Sequence, residues 1–298
     1  MRIDLHTHSR ASDGTDSPAE LVRAAARAGL DVLAITDHDT AAGWPDAQAV
    51  ADEVGVTLVP GMEISTHHRG RSVHLLAYLP DPTYPPLADE LARVLDGRAA
   101  RVPRMVTRLN GLGIDITEDD VRRASAGAVA SGRPHVADAL VTLGVVADRS
   151  EAFDRYLAWG RPAHVDRYAV PLETAIRAVA GAGGVSVIAH PWGRGGLGRP
   201  DEQTLVGLQE IGLAGIEVDH QDHDLETRDV LRSMARDLGL VATGASDYHG
   251  VGKADHELGC NTTDPAELER LLAAAAEASA RSGRPTPRLT SGRATGTA

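Results

Sequence analysis

Six short polar motifs, each following a run of apolar or β-branched residues, constrain this chain more than any other feature. They are Asp4-Leu5-His6-Thr7-His8 with Asp13 just beyond, Thr36-Asp37-His38, Gly61-Met62-Glu63, His74, Ala189-His190-Pro191 and Ser246-Asp247-Tyr248-His249. Every motif offers an imidazole or a carboxylate where a strand should end. One His-x-His would be an ordinary polar pair on a strand. Six such motifs need an architecture in which the carboxyl ends of many strands converge on one point, as they do in a closed β/α barrel. An open doubly wound sheet gathers ligands at one crevice only.

The segments between the motifs agree with a barrel. Ser17-Pro18-Ala19-Glu20 is a capping box with proline at the first helical position, and Gly29 marks the stop of the helix it opens. Strands are expected over 31–36, 56–59, 73–79, 184–189, 215–218 and 240–244, and helices over 40–53, 171–181, 202–211, 225–238 and 265–280. The rhythm reads as repeated parallel βα units. It breaks between residues 97 and 165, where helical signals at 98–111, 118–126, 134–143 and 150–157 have no strand among them. The expected organisation is a first barrel part over 1–96, a helical cap insertion over 97–165, a second barrel part over 166–281 and a disordered Gly/Pro/Ser-rich tail over 282–298. Residues 97–170 hold eleven arginines against nine carboxylates, so the cap is slightly basic while the chain as a whole carries −12.

That acidic balance disfavours sequence-independent binding to duplex DNA, which requires phosphate neutralisation. A small anion held through bound cations stays compatible with it. Cys260 is the only cysteine, which excludes a disulfide framework and a Cys-rich zinc module, and it is expected to be a buried, inert thiol. No stretch approaches the roughly 18 apolar residues of a membrane span, and Arg2-Ile3-Asp4-Leu5 does not read as a signal segment, so the expected compartment is the cytoplasm.

Imidazole nitrogen and carboxylate oxygen suit Zn, Mn or Fe. His6 and His8, two apart on a strand, point to one face as chelation requires. Nine candidate ligands, His6, His8, Asp13, His38, Glu63, His74, His190, Asp247 and His249, are too many for one ion; two or three divalent ions with a bridging carboxylate account for them. The motifs, in this order, resemble the PHP (polymerase and histidinol phosphatase) family. The resemblance implies a distorted (β/α)7 TIM-like barrel with a trinuclear metal centre. It implies that His6, His8, Glu63 and Asp247 bind one metal, that Glu63 bridges to a second held by His74 and His190, and that Asp13, His38 and His249 hold a third. Some members of the family have histidine where this chain has Asp13, and a carboxylate there favours a harder ion such as Mn.

Within the cap, Gly132-Arg133-Pro134-His135-Val136-Ala137 is similar to a motif of the PHP subgroup that dephosphorylates nucleoside 3′,5′-bisphosphates and trims short RNA from its 5′ end. The resemblance gives Arg133 and His135 to the substrate phosphate. A guanidinium fork suits that role, and His135 or a water is the expected proton donor to the leaving oxygen. The expected enzyme is therefore a metal-dependent phosphoesterase acting on small nucleotide phosphates or short RNA. A histidinol phosphate phosphatase is the alternative, and a non-catalytic or proofreading PHP module is the reading from another class. Arg194 is a second phosphate candidate. His67, His68 and His256 are expected at the surface, and His164 in a structural role. For His220 and His223 a substrate contact and a structural role stay open. Asp37 and Asp39 are expected to bond a ligand histidine or cap the next helix rather than ligate.

Overall fold

A computed structural model describes residues 1–193 and 200–289. Its strands are β1 (Ile3–Asp4), β2 (Val32–Ile35), β3 (Thr57–His68), β4 (Arg71–Tyr78), β5 (Val170–Pro171), β6 (Val185–Ile188), β7 (Leu213–Asp219) and β8 (Val241–Gly244). Seven form one continuous sheet in the order β1-β2-β3-β4-β6-β7-β8, and the two-residue β5 pairs with β3. A bridge between Thr7 and Tyr248, with the His8 amide donating to the Tyr248 carbonyl at 2.8 Å, brings the two ends of the sheet together into a nearly closed barrel.

The helices are α1 (Pro18–Arg27), α2 (Trp44–Val54), α3 (Pro85–Gly111), α4 (Glu118–Ser125), α5 (Arg133–Thr142), α6 (Arg149–Ala152), α7 (Leu172–Gly181), α8 (Glu202–Gln209), α9 (Leu225–Leu238) and α10 (Pro265–Ser282). Helix α1 starts as the sequence requires: the Glu20 amide donates to Ser17 Oγ at 3.2 Å, and the Ser17 amide to Glu20 Oε2 at 2.8 Å. Alternation along the strands splits the barrel's apolar residues into two sets. Leu33, Ile35, Leu75 and Ala77 join the cluster that includes α1, α2 and α7–α9. Val32, Ala34, Leu76, Tyr78, Val185 and Val187 join Leu268, Leu271 and Ala275 of α10.

The rhythm of parallel units fails at one place. Strands β3 and β4 form an antiparallel hairpin, and β4 also runs antiparallel to β6. The cause is the two-residue loop Arg69-Gly70, with φ of 48° and 76°, the left-handed pair that a tight hairpin needs. Strand β3 accordingly extends beyond the expected 56–59 and runs through Glu63. Because β4 is reversed, the start of β4, where His74 lies, is level with the carboxyl ends of the parallel strands of the barrel.

The helical segment has an apolar cluster of its own, including Met105, Leu109, Val121, Val136, Leu140 and Leu157. Its first helix begins at Pro85 and runs unbroken past residue 97, where the cap was expected to begin. At the other end, the first residues of the expected tail pack rather than dangle. Ser282 ends α10, Arg284 pairs with Asp81 at 3.1 Å and lies over the Tyr84 ring, and Leu289 packs against the α10 cluster. Residues 290–298 of that tail, and Arg194, fall outside the described residues. Cys260 is exposed rather than buried. Among the described residues no helix is long and apolar enough to cross a membrane.

The seam between β1 and the segments after β8 is tied by Asp4, which is fully buried and accepts from the amides of Ser246 at 3.0 Å and Gly259 at 2.9 Å. Replacing Asp4 with alanine leaves buried amides without an acceptor, each costing about 1–3 kcal/mol. Chemical denaturation of Asp4→Ala is expected to show a stability loss of about 2–4 kcal/mol, and an unchanged midpoint would refute the role of this tie.

Candidate functional site

All nine residues marked by the strand-end pattern meet at the carboxyl end of the barrel. His6, His8, Asp13, His38, Glu63, Asp247 and His249 are buried, and His74 and His190 form the more open side. The backbone bends sharply to present two of them: His190 and Asp247 have φ of 29° and 53°, and Asp39, next to His38, has 57°. Non-glycine residues rarely adopt this region, and where they do the surrounding structure must hold them. Gly14 serves the same end, since a Cβ there would lie 2.3 Å from the His8 carbonyl oxygen, too close for the loop that carries Asp13.

Glu63 lies at the centre. Its Oε2 stands 3.3 Å from His6 Nε2, 3.2 Å from His8 Nε2 and 3.1 Å from His38 Nδ1; its Oε1 stands 2.7 Å from His74 Nδ1 and 3.3 Å from His190 Nε2. Asp247 Oδ1 is 3.4 Å from both His6 Nε2 and His8 Nε2, which are 3.1 Å from each other. Asp13 reaches His249 Nε2 at 3.3 Å, and His38 Nε2 and His8 Nδ1 at 3.7 Å each. Three groups of donor atoms close enough to share an ion result: His6, His8, Glu63 and Asp247; His38, Glu63 and His74; and His8, Asp13, His38 and His249. His38 Nδ1, His74 Nδ1 and Asp247 Oδ1 are buried without a hydrogen-bond partner among the described residues, although they face groups of opposite charge. Such atoms fit a cation better than one another.

Burial alone would raise the carboxylates' pKa values, but the imidazoles around Asp13 and Glu63, and at Asp247 the Lys253 ammonium followed by His6 and His249, win, and all three are held well below the ordinary range. Burial also opposes charge on the imidazoles. Asp247 and Glu63 nevertheless raise His6 well above its ordinary value and His8 to about 9. At His38 burial dominates and lowers the value to about 3.

Glu217 was not singled out from the sequence. It is completely buried in β7, 3.1 Å from His6 Nδ1, and it accepts from the His190 amide at 2.8 Å. It therefore orients two of the nine. Its only signal was a carboxylate amid the apolar residues of Gly215-Ile216-Glu217-Val218. Asp37 binds neither a histidine nor a helix end; it accepts from the Ser9 amide at 2.8 Å and the Ser12 hydroxyl at 2.6 Å, fixing the turn after His8. Asp39 pairs with Arg98 at 2.7 Å.

His256, expected at the surface, is buried, and with His220 and Asp247 it forms a further group of close donor atoms. His220 Nε2 is 3.3 Å from Asp247 Oδ2, whose other neighbour is the Lys253 ammonium. His223 is structural: its Nδ1 bonds the Val218 carbonyl at 2.9 Å. His164 bonds the Leu157 carbonyl and Asp166. His67 is exposed, and the half-buried His68 pairs with Glu173 at 2.8 Å.

The helical segment closes one wall of a cavity of about 550 Å³ above the nine residues, through Pro134, Arg149 and Phe153. Arg149 grips Asp138 and donates to the Asp13 carbonyl at 2.9 Å, tying the segment to the barrel mouth. Arg133 lies over the Phe153 ring at 5.5 Å. His135 is buried, with Nδ1 accepting from the Gly132 amide at 3.0 Å, which leaves the ring proton on Nε2.

Comparison with known proteins agrees with this architecture. Residues 4–93 match the PHP domain. Over 259 residues, 86% of this chain and 90% of the relative, the chain is 38% identical to a 3′,5′-nucleoside bisphosphate phosphatase of Chromobacterium violaceum. It is 36% identical to a 5′-3′ exoribonuclease of Haemophilus influenzae over 83% of this chain and 90% of that one. A solved structure from Bifidobacterium adolescentis, described as a candidate metal-dependent phosphoesterase, superposes with a TM-score of 0.87 at 37% identity, covering 91% of this chain and 96% of the other. With likeness of this extent in both sequence and fold, the chain belongs to the PHP family.

Proposed function

We propose that this chain is a metal-dependent phosphoesterase of small nucleotide phosphates, acting on a nucleoside 3′,5′-bisphosphate or on 5′-phosphorylated short RNA with two or three divalent ions (Mn, Zn or Fe). One geometric observation carries the reading. Tetrahedral binding of an ion at about 2.0–2.1 Å separates the ligand atoms by roughly 3.3 Å. Five separations among His6 Nε2, His8 Nε2, Glu63 Oε2 and Asp247 Oδ1 lie between 3.1 and 3.4 Å. These four would hold one ion. Glu63 Oε1 with His74 and His190 would hold a second, and Asp13, His38 and His249 a third.

Divalent ions bound there would lower the pKa of water and polarise a phosphoryl oxygen. The remaining work belongs to side chains. Glu217 fixes the His6 ring so that Nε2 faces inward, and the Asp247 carbonyl does the same for His249 through Nδ1 at 2.9 Å. Arg133, stacked on Phe153, supplies a planar donor to the phosphate, and His135 presents its Nε2 proton as a positioned donor. The cavity volume suits a nucleotide. The two relatives that act on a nucleoside bisphosphate and on RNA support the substrate class, and neither favours the histidinol phosphate or non-catalytic alternatives.

Loading the centre must be linked to pH. His8, raised to about 9, holds a proton at pH 7 in the metal-free protein, and an imidazole binds metal only when neutral. Calorimetric titration of Mn into metal-stripped protein, in buffers of different ionisation heat, is expected to show proton release and an affinity rising about tenfold per pH unit for each proton released between pH 6 and 8. Binding without proton release would contradict it.

Loss of a charge-assisted bidentate contact costs about 1.5–3 kcal/mol, so Arg133→Ala should lower kcat/KM for adenosine 3′,5′-bisphosphate by roughly one to two orders of magnitude, with partial recovery in Arg133→Lys. The comparison uses that compound, a 5′-phosphorylated oligoribonucleotide and histidinol phosphate. Preference for histidinol phosphate would sink the nucleotide reading.

A further inference from the structure

The donor group formed by His220, Asp247 and His256 adjoins the nine residues, and its hydrogen bonds decide what it can hold. His220 Nδ1 accepts from the Asp222 amide at 3.0 Å, so in the neutral ring the proton sits on Nε2, which faces Asp247 Oδ2 at 3.3 Å. That nitrogen is a donor and offers no lone pair to a metal. His256 Nδ1 donates to the Ala254 carbonyl at 2.7 Å, which leaves the lone pair on Nε2, buried and without a hydrogen-bond partner among the described residues. One imidazole and one carboxylate oxygen are too few for a further ion. The cation that this group does hold comes from the chain itself: the Lys253 ammonium, on Asp247 Oδ2.

Lys253 is brought there by a loop that fits only because two of its residues lack side chains. Gly250 has φ of 67°, and a Cβ on it would overlap Thr15 Oγ1, which accepts from the Val251 amide at 3.1 Å. A Cβ on Gly252 would overlap an Arg149 nitrogen. Arg149 cannot give way without losing Asp138 and the Asp13 carbonyl. The loop is therefore clamped between the segment after Asp13 and the helical segment. Its lysine borders the cavity of about 550 Å³ together with Asp13, Glu63 and His190, and its side chain is 30% exposed against 6% for Asp247. An ammonium carries three donors. Asp247 takes one, and no other acceptor for Lys253 occurs among the described residues.

We propose that Lys253 is a further catalytic residue, whose ammonium donates to an oxygen of the scissile phosphoryl group and offsets the negative charge that develops there. This rests on the phosphoesterase reading above. Asp247 joins the two functions: its Oδ1 faces His6 Nε2 and His8 Nε2 at 3.4 Å each, and its Oδ2 holds the ammonium. The two oxygens of one carboxylate thus serve the ion-binding set and the lysine, so a phosphoryl group attracted to the first adjoins the second.

The test compares full-length wild type, Lys253→Gln and Lys253→Arg, with two readouts besides turnover. Calorimetric titration of Mn into the metal-stripped proteins should give Lys253→Gln an affinity no weaker than wild type, because a like charge beside the ions is removed. Inorganic phosphate titrated into the Mn-loaded proteins should bind about tenfold more weakly to Lys253→Gln, and kcat for adenosine 3′,5′-bisphosphate should fall by about tenfold to a hundredfold. Lys253→Arg, which keeps a cation on Asp247 and so guards against a folding defect, should fall between the two in both respects. Phosphate affinity or kcat equal to wild type in Lys253→Gln overturns the proposal. Weaker Mn binding at an unchanged thermal midpoint also overturns it, since the lysine would then act only by positioning Asp247. A wild type that binds phosphate through Lys253 but hydrolyses no phosphoester keeps the phosphate contact and removes the phosphoesterase reading. Hydrolysis indifferent to Lys253 does the reverse.

Discussion

Four carboxylates, Asp13, Glu63, Glu217 and Asp247, are buried together at the mouth of this barrel, none more than 4% exposed. Like charges held this close and this dry cannot persist without compensation. The imidazoles that surround them can provide it in two ways: by taking up protons, as the raised values at His6 and His8 describe for the metal-free chain, or by sharing divalent ions with them. Only the second leaves imidazole neutral and puts positive charge where an anionic substrate can meet it. The architecture follows from that demand. The β3–β4 hairpin turns His74 back toward Glu63, and left-handed backbone at His190 and Asp247 aims two more groups inward.

The helical segment brings the opposite charge. Arg149 ties it to the Asp13 loop, and Arg98 ties it to Asp39 beside His38. An electron-rich cluster and a guanidinium cluster thus adjoin along β3, with Ser65 and Glu63 on one face of the same strand.

Much of this was legible in the sequence because polar residues at the ends of apolar runs are conspicuous. The nine residues of the pattern, and the capping box at Ser17, stand out without knowledge of any contact. The rest depended on partners far along the chain. Glu217 reads as one polar residue within a strand until His6, 211 positions away, is placed beside it. His256 lies in a polar stretch yet is buried against His220. Arg98 and Arg101 resemble the solvent-facing arginines of any amphipathic helix, and only the return of residues 132 and 167 encloses them. The antiparallel turn was available locally in Arg69-Gly70, but the parallel rhythm on either side outweighed it. The start of α3 at Pro85 was also available, as a proline at a first helical position.

The central claim is that Glu63 is shared between cations, one at each carboxylate oxygen. Anomalous diffraction from Mn-loaded crystals, recorded near the manganese absorption edge, tests it directly. The account predicts a peak within bonding distance of Oε2 together with His6, His8 and Asp247, and another at Oε1 together with His74 and His190, both diminished in Glu63→Gln. Peaks confined to the protein surface, or a fully occupied pair unaffected by Glu63→Gln, would contradict it.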